Sequence, residues 1–318
     1  VSRRIHRHQR SSGLQNDLQS VVVFGPTGTQ GHPVVEAALA AGLSVRGASR
    51  DPDKAAESLP GRVGLVRADL LDRESIVGAM AGMDAAFFYL PILPQTPDAQ
   101  AMVDNMIVAA SDSGLKRLAF TTSAWCAENM PSGEFVDGLR RLAARLIDSD
   151  QDVVILRPTL YMANLVWPHL LREVRESGRL SYPPLSADRR LNWTATEDQG
   201  RVVIAALRQA VTDEVIDMAS PEPVTGPELC ELLSAVFGRE VHYGPQSVAE
   251  FAETLSHMAR SAEAGRSIAA LYEGIDGLPD DGLVVDARAL EQRFGVRLTP
   301  ISEWVEQSLG TLLERFGG

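Results

Sequence analysis

The sequence has few cysteines and no long apolar run, and each shortage excludes a class of protein. Two cysteines among 318 residues, Cys126 and Cys230, do not make a disulfide framework and fit a reducing compartment. No apolar run reaches the roughly 18–20 residues that a membrane-spanning helix needs. The longest runs, such as Val21–Phe24 and Ala85–Leu90, have the length of buried strands. We therefore expect a cytoplasmic protein without a membrane partner.

Positive charge is also in short supply. The chain has 30 Lys and Arg against 42 Asp and Glu, for a formal net charge of −12. Such a field repels a polyanion, so direct nucleic-acid binding is not expected. The exception is Val1–Arg10, which carries four arginines and two histidines. We interpret residues 1–19 as a disordered leader, with a basic interaction arm as the alternative.

From Ser20 onward, short β-branched runs alternate with amphipathic helical segments, which is typical of βαβ units and a parallel sheet. The pattern predicts a doubly wound α/β domain of the Rossmann type over residues 20–160. Strands are predicted at Ser20–Phe24, Ser44–Ala48, Val63–Arg67, Ala85–Tyr89, Lys116–Thr121 and Val153–Arg157. Helices are predicted at Thr29–Ala41, Arg73–Ala81, Ala99–Ser113 and Glu134–Asp148.

After Pro158 the alternation stops, which predicts a smaller, mainly helical C-terminal lobe over residues 161–318. Tyr161–Gly178 has a helical pattern that Pro168 interrupts. Glu214–Met218 predicts one further strand, which can extend the sheet. The remaining helices are predicted at Glu197–Gln209, Pro227–Phe237, Val248–Glu273, Ala287–Phe294 and Ser302–Phe316.

The strongest local motif is a glycine-rich turn directly after the first strand. Gly25, Gly28 and Gly31 stand three residues apart, between a buried strand and a helix. The first glycine permits the tight turn, the second lets the backbone approach a pyrophosphate, and the third lets the helix pack on the strand. The helix N-terminus then offers N–H groups to phosphate. We assign the turn to dinucleotide binding, with contacts from Gly25, Thr27, Gly28, Thr29, Gln30 and Gly31.

The end of the second strand predicts NADP(H) rather than NAD(H). An NAD site usually places a carboxylate there for the ribose 2′-hydroxyl. This chain has Ser49 and Arg50, followed by Lys54. A guanidinium fork suits a 2′-phosphate, the lysine adds a second charge, and the serine can donate a hydrogen bond. Asp51 is the counter-argument, because its carboxylate can face the ribose.

These motifs resemble the NmrA-like group of atypical short-chain dehydrogenases. The resemblance includes the glycine turn, Ser49–Lys54, Ala68–Leu70 and Leu156–Asn164. It continues through Glu197–Arg201 and Pro223–Leu229, and so covers roughly residues 21–244. It implies a Rossmann cofactor domain with a C-terminal substrate lobe. The group includes NADPH-dependent reductases of quinones or phenylpropanoids, and redox sensors that bind the dinucleotide and regulate partner proteins. The further cofactor contacts that we assign are Asp69, Leu70, Leu90, Pro91, Thr122, Ser123 and Pro158.

The acid–base pair that such reductases usually carry is missing. Reductases of this fold use a Tyr and a Lys, spaced Y-x-x-x-K, on the helix before the Leu-Arg-Pro strand. A gapless alignment places Phe135 and Leu139 there, and neither side chain transfers a proton. The Asp137-Gly138 pair resembles the sensor-type members. A shift of one residue would put Arg140 at the lysine position, but arginine stays protonated and is a poor acid–base catalyst.

Ser123 and Tyr161 remain as candidate catalytic residues. Ser123 follows the fifth strand, where this fold presents a hydroxyl that polarises a carbonyl. Tyr161 follows Leu-Arg-Pro and is a candidate replacement proton donor; a packing role is the alternative. No ligand spacing for a metal is present. The predicted substrate pocket also contains aromatic and small side chains, namely Trp125, Cys126, Phe135, Leu139, Asn164, Trp167 and Trp193.

Each of these pocket residues also has a structural interpretation. The three tryptophans suit a flat apolar substrate but are equally typical of a lobe interface. Cys126 is either redox-sensitive or a small buried residue, and Asn164 either orients substrate or caps a helix.

Three functions remain open from the sequence. The first is an NADPH-dependent reductase of a cyclic or aromatic molecule, such as a quinone or a polyketide, that works without the usual dyad. The second is a non-catalytic NADP(H) redox sensor with a regulatory protein partner. The third is a non-redox enzyme on the same fold. The sequence does not predict the oligomeric state.

Overall fold

A computed structural model of the chain describes residues 18–309. Residues 1–17 of the predicted leader lie outside the described part. Leu18 is already buried in the core, and the backbone N–H of Gln19 donates to Asp84 Oδ2 at 2.9 Å. Leu18 and Gln19 therefore contact the core directly before the first strand. Among residues 18–309, no helix is both long and apolar enough to cross a membrane.

The centre of the molecule is a seven-stranded, fully parallel sheet. The strands are β1 (Ser20–Phe24), β2 (Ser44–Ser49), β3 (Gly64–Arg67), β4 (Ala85–Phe88), β5 (Arg117–Thr121), β6 (Val153–Pro158) and β10 (Glu214–Met218). Their order β10-β6-β5-β4-β1-β2-β3 confirms the predicted Rossmann-type architecture. The β1 strand lies between β4 and β2, which places its glycine turn near the centre of the carboxyl edge.

Helices cover both faces of this sheet, because the inward side chains of parallel strands must be buried on both sides. One face carries α1 (Gly31–Ala40), α7 (Thr196–Arg208) and α11 (Ala287–Phe294). The other face carries α3 (Arg73–Met80), α4 (Pro97–Ser113) and α5 (Glu134–Ile147). The short helix α2 (Pro52–Ala56), which the sequence did not predict, follows β2.

The predicted extra strand, Glu214–Met218, is present and pairs with β6 at the sheet edge. The sheet is therefore completed by a strand from beyond residue 160. Between β6 and β10 the chain forms the short strand β7 (Leu160–Tyr161) and a turn of 3₁₀ helix (Met162–Val166). Helix α6 (Pro168–Ser177) then begins at Pro168. Proline is tolerated there because the N–H of the first helical residue has no partner within the helix. The predicted interruption at Pro168 is therefore confirmed.

The rest of the C-terminal part is mainly helical and packs around a third core. Val248–Glu273 was predicted as one helix, and this is wrong. The chain turns at Arg260, which has a left-handed φ of 54°, and Ser261 caps the next helix by accepting from the Ala264 N–H. The elements are β8 (Arg179–Leu180), β9 (Trp193–Thr194), α8 (Gly226–Phe237), β11 (His242–Tyr243), α9 (Val248–Ala259), α10 (Ala262–Asp276) and α12 (Ile301–Trp304), which continues as a π-helical turn (Val305–Leu309).

Candidate functional site

The glycine turn has the backbone geometry that its spacing predicts. Gly25 adopts a left-handed φ of 69°, and its N–H donates to the Ala48 carbonyl at 3.0 Å. The Gly28 N–H donates back to the Gly25 carbonyl at 3.1 Å. A Cβ on Gly31 would lie 2.1 Å from the Gly25 carbonyl oxygen, which only glycine avoids. The turn thus closes tightly against β2 and aims the start of α1 at the carboxyl edge of the sheet.

The N-terminus of α1 and the turn before it offer backbone donors, although the His32 N–H already donates to the Gly28 carbonyl at 2.9 Å and Pro33 has no N–H. The N-cap residue Gln30 makes no side-chain cap, and the first turn of the helix contains no acidic residue. The first N–H groups of a helix have no partner within it, so an uncapped start can bind an anion. Thr27 and Thr29 are exposed on the turn. Backbone donors and a positive helix dipole therefore face the same space above the sheet.

In the loop after β2, the two cationic side chains are exposed, whereas the carboxylate is already hydrogen-bonded within the loop. Asp51 Oδ1 accepts from the Lys54 backbone N–H at 3.1 Å and so caps α2. The Ser49 hydroxyl donates to the Asp51 carbonyl, also at 3.1 Å. The side chains of Arg50 and Lys54 are exposed, and neither makes a hydrogen bond or ion pair with residues 18–309. The aspartate that argued against a 2′-phosphate is therefore used inside the loop.

Both candidate catalytic hydroxyls meet at one side chain of the glycine turn. Gln30 Oε1 accepts from Ser123 Oγ at 3.0 Å and from Tyr161 Oη at 3.0 Å. Ser123 lies in the loop after β5, Tyr161 lies in β7, and Gln30 precedes α1. The three residues therefore come together from separate elements. The structure thus places Ser123 and Tyr161 beside the predicted phosphate-binding turn.

Ser123 reaches this position through an unusual backbone. Its φ of 62° lies in the left-handed region, which is uncommon for a residue other than glycine. Its N–H is held by Thr121 Oγ1 at 3.2 Å. The preceding hydroxyl, that of Thr122, donates instead to the Ala124 carbonyl at 2.8 Å and shapes the loop. Such strain is typical of functional positions.

Gln199 completes the cluster and was not singled out from the sequence. Its Oε1 lies 2.7 Å from Tyr161 Oη and 3.3 Å from Thr121 Oγ1, and the whole side chain is buried. Its Nε2 has no partner among the described residues. The signal that could have found it is the glycine that follows it. A Cβ on Gly200 would lie 2.4 Å from the Pro33 carbonyl, so α7 packs directly on α1 and carries Gln199 to the site.

Asp198, the residue before Gln199, fixes the start of α7 through buried hydrogen bonds. It is fully buried, and its carboxylate accepts from Ser220 Oγ at 2.9 Å and from the Thr299 N–H at 2.7 Å. It also pairs with Arg201, one turn further along α7. Burial raises the pKa of Asp198, although these donors act in the opposite direction. The Asp-x-Gly-Arg motif therefore anchors the start of α7.

The Tyr161 phenol is held in its neutral form. Complete burial raises its pKa well above the ordinary value, although hydrogen bonds with Thr121 and Gln199 act in the opposite direction. The hydroxyl has one hydrogen and two amide oxygens within reach, so it donates to one of them at a time. Tyr161 is therefore a neutral hydrogen-bond donor beside the glycine turn.

The two positions that replace the usual dyad lie one turn apart on α5, and both pack on the C-terminal core. Leu139 is 3% exposed and belongs to the C-terminal core. Phe135 is half-buried and lines a cavity of about 490 Å³ between the start of α5 and α10. The neighbouring Arg140 donates to the carbonyls of Cys126 at 3.1 Å and Met130 at 2.8 Å. Arg140 therefore holds the loop after Ser123.

Most of the predicted substrate walls are packed side chains. Trp125 and Trp193 are 5% and 2% exposed, and both belong to the C-terminal core. The Arg157 guanidinium lies 5.2 Å from the centre of the Trp125 ring. Trp167 is half-buried, with its ring centre 5.2 Å from that of Tyr182. Trp167 and Trp193 both pack on Tyr182, and all three tryptophans pack in or against the C-terminal core, as the lobe-interface interpretation expects.

Asn164 and Cys126 also have structural surroundings. Asn164 Nδ2 donates to Tyr182 Oη at 2.8 Å, and that hydroxyl is 2.7 Å from Tyr272 Oη, so Asn164 belongs to a buried chain of phenols. It does not cap α6, which starts without a side-chain cap. Cys126 is 2% exposed, and burial raises the pKa of its thiol to about 11, against the opposing effect of Arg157.

The remaining predicted cofactor contacts lie at the carboxyl ends of strands of the sheet. Asp69 Oδ1 accepts from the Leu71 N–H at 2.9 Å and shapes the loop after β3. Leu70 and Leu90 are half-buried, Pro91 is exposed, and Pro158 ends β6. A further neighbour, Tyr89, was missed. It follows β4, the strand beside β1, and its hydroxyl lies 3.3 Å from the Gly25 carbonyl.

Comparison with known proteins places this geometry in a family. The profile of the NmrA-like family matches residues 17–296. An NAD(P)H azoreductase of Xenophilus azovorans is 25% identical over 253 residues, covering 79% of this chain and 86% of that protein. The structure of Citrobacter sp. triphenylmethane reductase complexed with NADP(H) aligns with a TM-score of 0.74 and 22% identity, over 91% of this chain and 99% of the other.

A regulator shares the same fold. NmrA, a negative transcriptional regulator solved in complex with NADP, aligns with a TM-score of 0.70 and 15% identity, over 95% of this chain and 98% of the other. The fold is therefore common to reductases and to a regulator, and it does not separate the two functions. Because the family profile spans most of the sequence, this chain belongs to the NmrA-like family.

Proposed function

We propose that this protein is an NADP(H)-dependent reductase of a flat, cyclic or aromatic small molecule. The observation that carries the proposal is the junction at Gln30, whose side chain accepts from both Ser123 and Tyr161. Two hydroxyl donors thereby stand next to a phosphate-binding turn. The similarity to an NAD(P)H azoreductase supports the same class of reaction.

The residues present fit NADP(H). The glycine turn and the start of α1 would hold the pyrophosphate, with the Tyr89 hydroxyl lying against Gly25 and Gly28. Arg50 and Lys54, both exposed, would hold the 2′-phosphate. The bound dinucleotide would supply the hydride. The proposed preference for NADP(H) over NAD(H) is supported by these two cations and by the cap role of Asp51.

Ser123 and Tyr161 would act as hydrogen-bond donors to the acceptor atom that gains negative charge. Oriented donors in a buried site stabilise such charge effectively. Because burial keeps the Tyr161 phenol protonated, it is suited to donating a hydrogen bond rather than to releasing a proton. A quinone acceptor yields a comparatively stable hydroquinone anion that can take its proton from water. The reaction therefore does not require the missing lysine.

Gln199 can support this role of Tyr161. A half turn of its amide would exchange Oε1 and Nε2, and would give the phenol oxygen a donor in place of a second acceptor. The Tyr161 hydrogen would then be directed to Gln30 or to a bound acceptor. Gln199 would thus supply the donor that a lysine supplies in the usual dyad.

The redox sensor is the second candidate function. Phe135 and Leu139 lack any group that can transfer a proton, and the regulator NmrA has the same fold. A sensor of this kind would bind NADP(H), leave acceptors unreduced and act on a protein partner. A non-redox enzyme would use the cofactor without net turnover or leave the cleft empty, and a lack of nucleotide affinity would favour it.

Titration and turnover in one cuvette test the proposal. The purified protein is titrated with NADPH and NADH by fluorescence, and a quinone, an azo dye or a triphenylmethane dye is then added. We expect tighter NADPH binding and acceptor-dependent oxidation. Binding of NADPH without oxidation across these acceptors would contradict the reductase and favour the sensor.

Two variants then test the roles of the hydroxyls. Tyr161→Phe and Ser123→Ala should each lower kcat about tenfold, because each removes one hydrogen bond to developing charge. The Kd for NADPH should stay within about twofold. Tyr243→Phe is the matched control, because the Tyr243 hydroxyl donates to the Pro183 carbonyl in the C-terminal part.

A further inference from the structure

The glycine turn has an aromatic neighbour that its motif does not predict. A Cβ built on Gly28 would lie 2.0 Å from Tyr89 Oη, and one on Gly25 would lie 2.8 Å from the same atom. The phenol hydroxyl therefore lies against the open sides of two of the three glycines. The space that these glycines leave free is bordered by a hydroxyl group of the chain itself.

The Tyr89 hydroxyl makes only a weak bond in this position. It donates to the Gly25 carbonyl at 3.3 Å, which is long for an O–H···O contact. Burial raises the pKa of the phenol, so the group is a neutral donor. The ring itself is anchored, because it packs beside the core on the α1 side of the sheet, 6.3 Å from the Phe87 ring. The ring of Tyr89 is thus held in place by packing, while its hydroxyl makes only one long hydrogen bond.

The approach of a dinucleotide would change the partner of this hydroxyl. The middle glycine of the turn is the point at which the backbone comes closest to the pyrophosphate. A phosphate oxygen there is charged and is a much stronger acceptor than a backbone carbonyl. Rotation about the Cζ–Oη bond would let the hydroxyl exchange the Gly25 carbonyl for a phosphate oxygen bound at the turn.

On this geometry we propose that Tyr89 is a dinucleotide-binding residue whose hydroxyl donates to the pyrophosphate. Gly28 then has a second reason to lack a side chain, since a methyl group there would displace the phenol. Tyr89 complements the backbone N–H groups of α1 with one side-chain donor. This assignment rests on the proposed binding of NADP(H).

The test compares two ligands on one variant. Tyr89→Phe keeps the ring and removes only the hydroxyl, and its thermal midpoint is recorded to verify folding. The Kd values for NADPH and for adenosine 2′-monophosphate, which lacks the pyrophosphate, are measured for the variant and the unmodified chain. Tyr243→Phe controls for the loss of a phenol hydroxyl elsewhere, because its bonds go to the carbonyls of Pro183 and Leu185.

We expect the Kd for NADPH to rise roughly 10- to 100-fold in Tyr89→Phe, the effect of losing one hydrogen bond to a charged group. The Kd for adenosine 2′-monophosphate should stay unchanged. An unchanged Kd for NADPH would overturn the proposal, and tighter binding would overturn it by showing that the phenol competes with the pyrophosphate. Equal weakening of both ligands would overturn it in favour of a general distortion. Failure of the unmodified chain to bind NADPH would instead overturn the proposed function along with it.

Discussion

The region predicted to hold the cofactor and the region predicted to hold the substrate have opposite physical character. Around the glycine turn, Arg50 and Lys54 are exposed and the start of α1 is uncapped. On the substrate side, Trp125, Leu139 and Trp193 are packed into the C-terminal core. The first region presents donors and charge to a ligand, whereas the second mostly presents side chains to one another. An apolar side chain predicted near a cleft can equally be part of the core beneath it.

Removing a large ring from the packed region should have the largest effect. Trp193 is 2% exposed, and its ring packs at a steep angle against Tyr182, with centres 6.1 Å apart. Trp193→Ala should lower the free energy of unfolding by about 3–5 kcal/mol, through lost burial and a residual cavity. Urea unfolding followed by circular dichroism measures the change. The Kd for NADPH of the folded variant should be unaltered.

Trp167→Ala is the matched control, because this half-buried tryptophan packs on the same Tyr182 ring. It should cost less, about 1–2 kcal/mol, because less apolar surface is lost from the core. A small loss of stability in Trp193→Ala together with a raised KM for an acceptor would assign Trp193 to the substrate site. Trp193 would then face the substrate rather than serve only as a packed side chain of the core.

Reversing one charge in the exposed region should have a smaller effect, confined to the ligand. Arg50 makes no bond to residues 18–309, so its loss should not alter folding. Arg50→Glu should raise the Kd for NADPH by roughly 50-fold, because a paired guanidinium is replaced by a repelling carboxylate. The Kd for NADH, which lacks the 2′-phosphate, should change by less than about threefold. Fluorescence titration of both nucleotides gives the ratio.

Arg62→Glu is the control for net charge, since Arg62 is another exposed arginine, in the turn before β3. It should leave both Kd values unchanged. Equal weakening of NADPH and NADH in Arg50→Glu would contradict the assignment of a 2′-phosphate site. Arg50 would then act on a part that both nucleotides share.

The difference between the two regions also explains how much of the structure the sequence predicts. The turn at Gly25 depends on a φ that glycine readily adopts and on room for α1, so its residue types are visible in the sequence. The strands before residue 160 follow from alternation with helices, and their predicted bounds agree with the structure to within a residue. Both signals are local, and a single sequence contains them.

The missed features depend on contacts between distant segments. Gln199 reaches the site because Gly200 lets α7 pack on α1, a contact that spans more than 160 residues. Tyr89 borders the turn because β4 pairs with β1. The helical pattern does not predict the break at Arg260, because the apolar periodicity continues through it. The only local signal is Ser261, which caps the next helix. No local pattern predicts which distant backbone a side chain will contact.

Thiol reactivity should show the smallest effect, and it tests the boundary between the two regions. Cys126 lies three residues after Ser123, and burial raises its thiol pKa to about 11. The other cysteine, Cys230, is also buried, with its thiol pKa raised to about 12. Only a thiolate reacts with an aromatic disulfide reagent, and at pH 8 its fraction should be on the order of 0.1% or less. Absorbance should therefore show almost no labelling of the folded protein, and both thiols should react in urea.

The sign of the pH dependence makes this test specific. Because the folded-state pKa of Cys126 is raised, the thiol form persists as pH rises above the ordinary value, and labelling should begin only as pH approaches about 11. Cys230→Ser isolates Cys126, while Cys126→Ser gives the background from the other thiol. Fast labelling of Cys126 at pH 8, slowed by NADPH, would mean that the packed region opens onto the cofactor site. The aromatic side chains around Cys126 would then line a substrate channel. The contrast between the two regions would hold for the closed conformation of the protein but not for an open one.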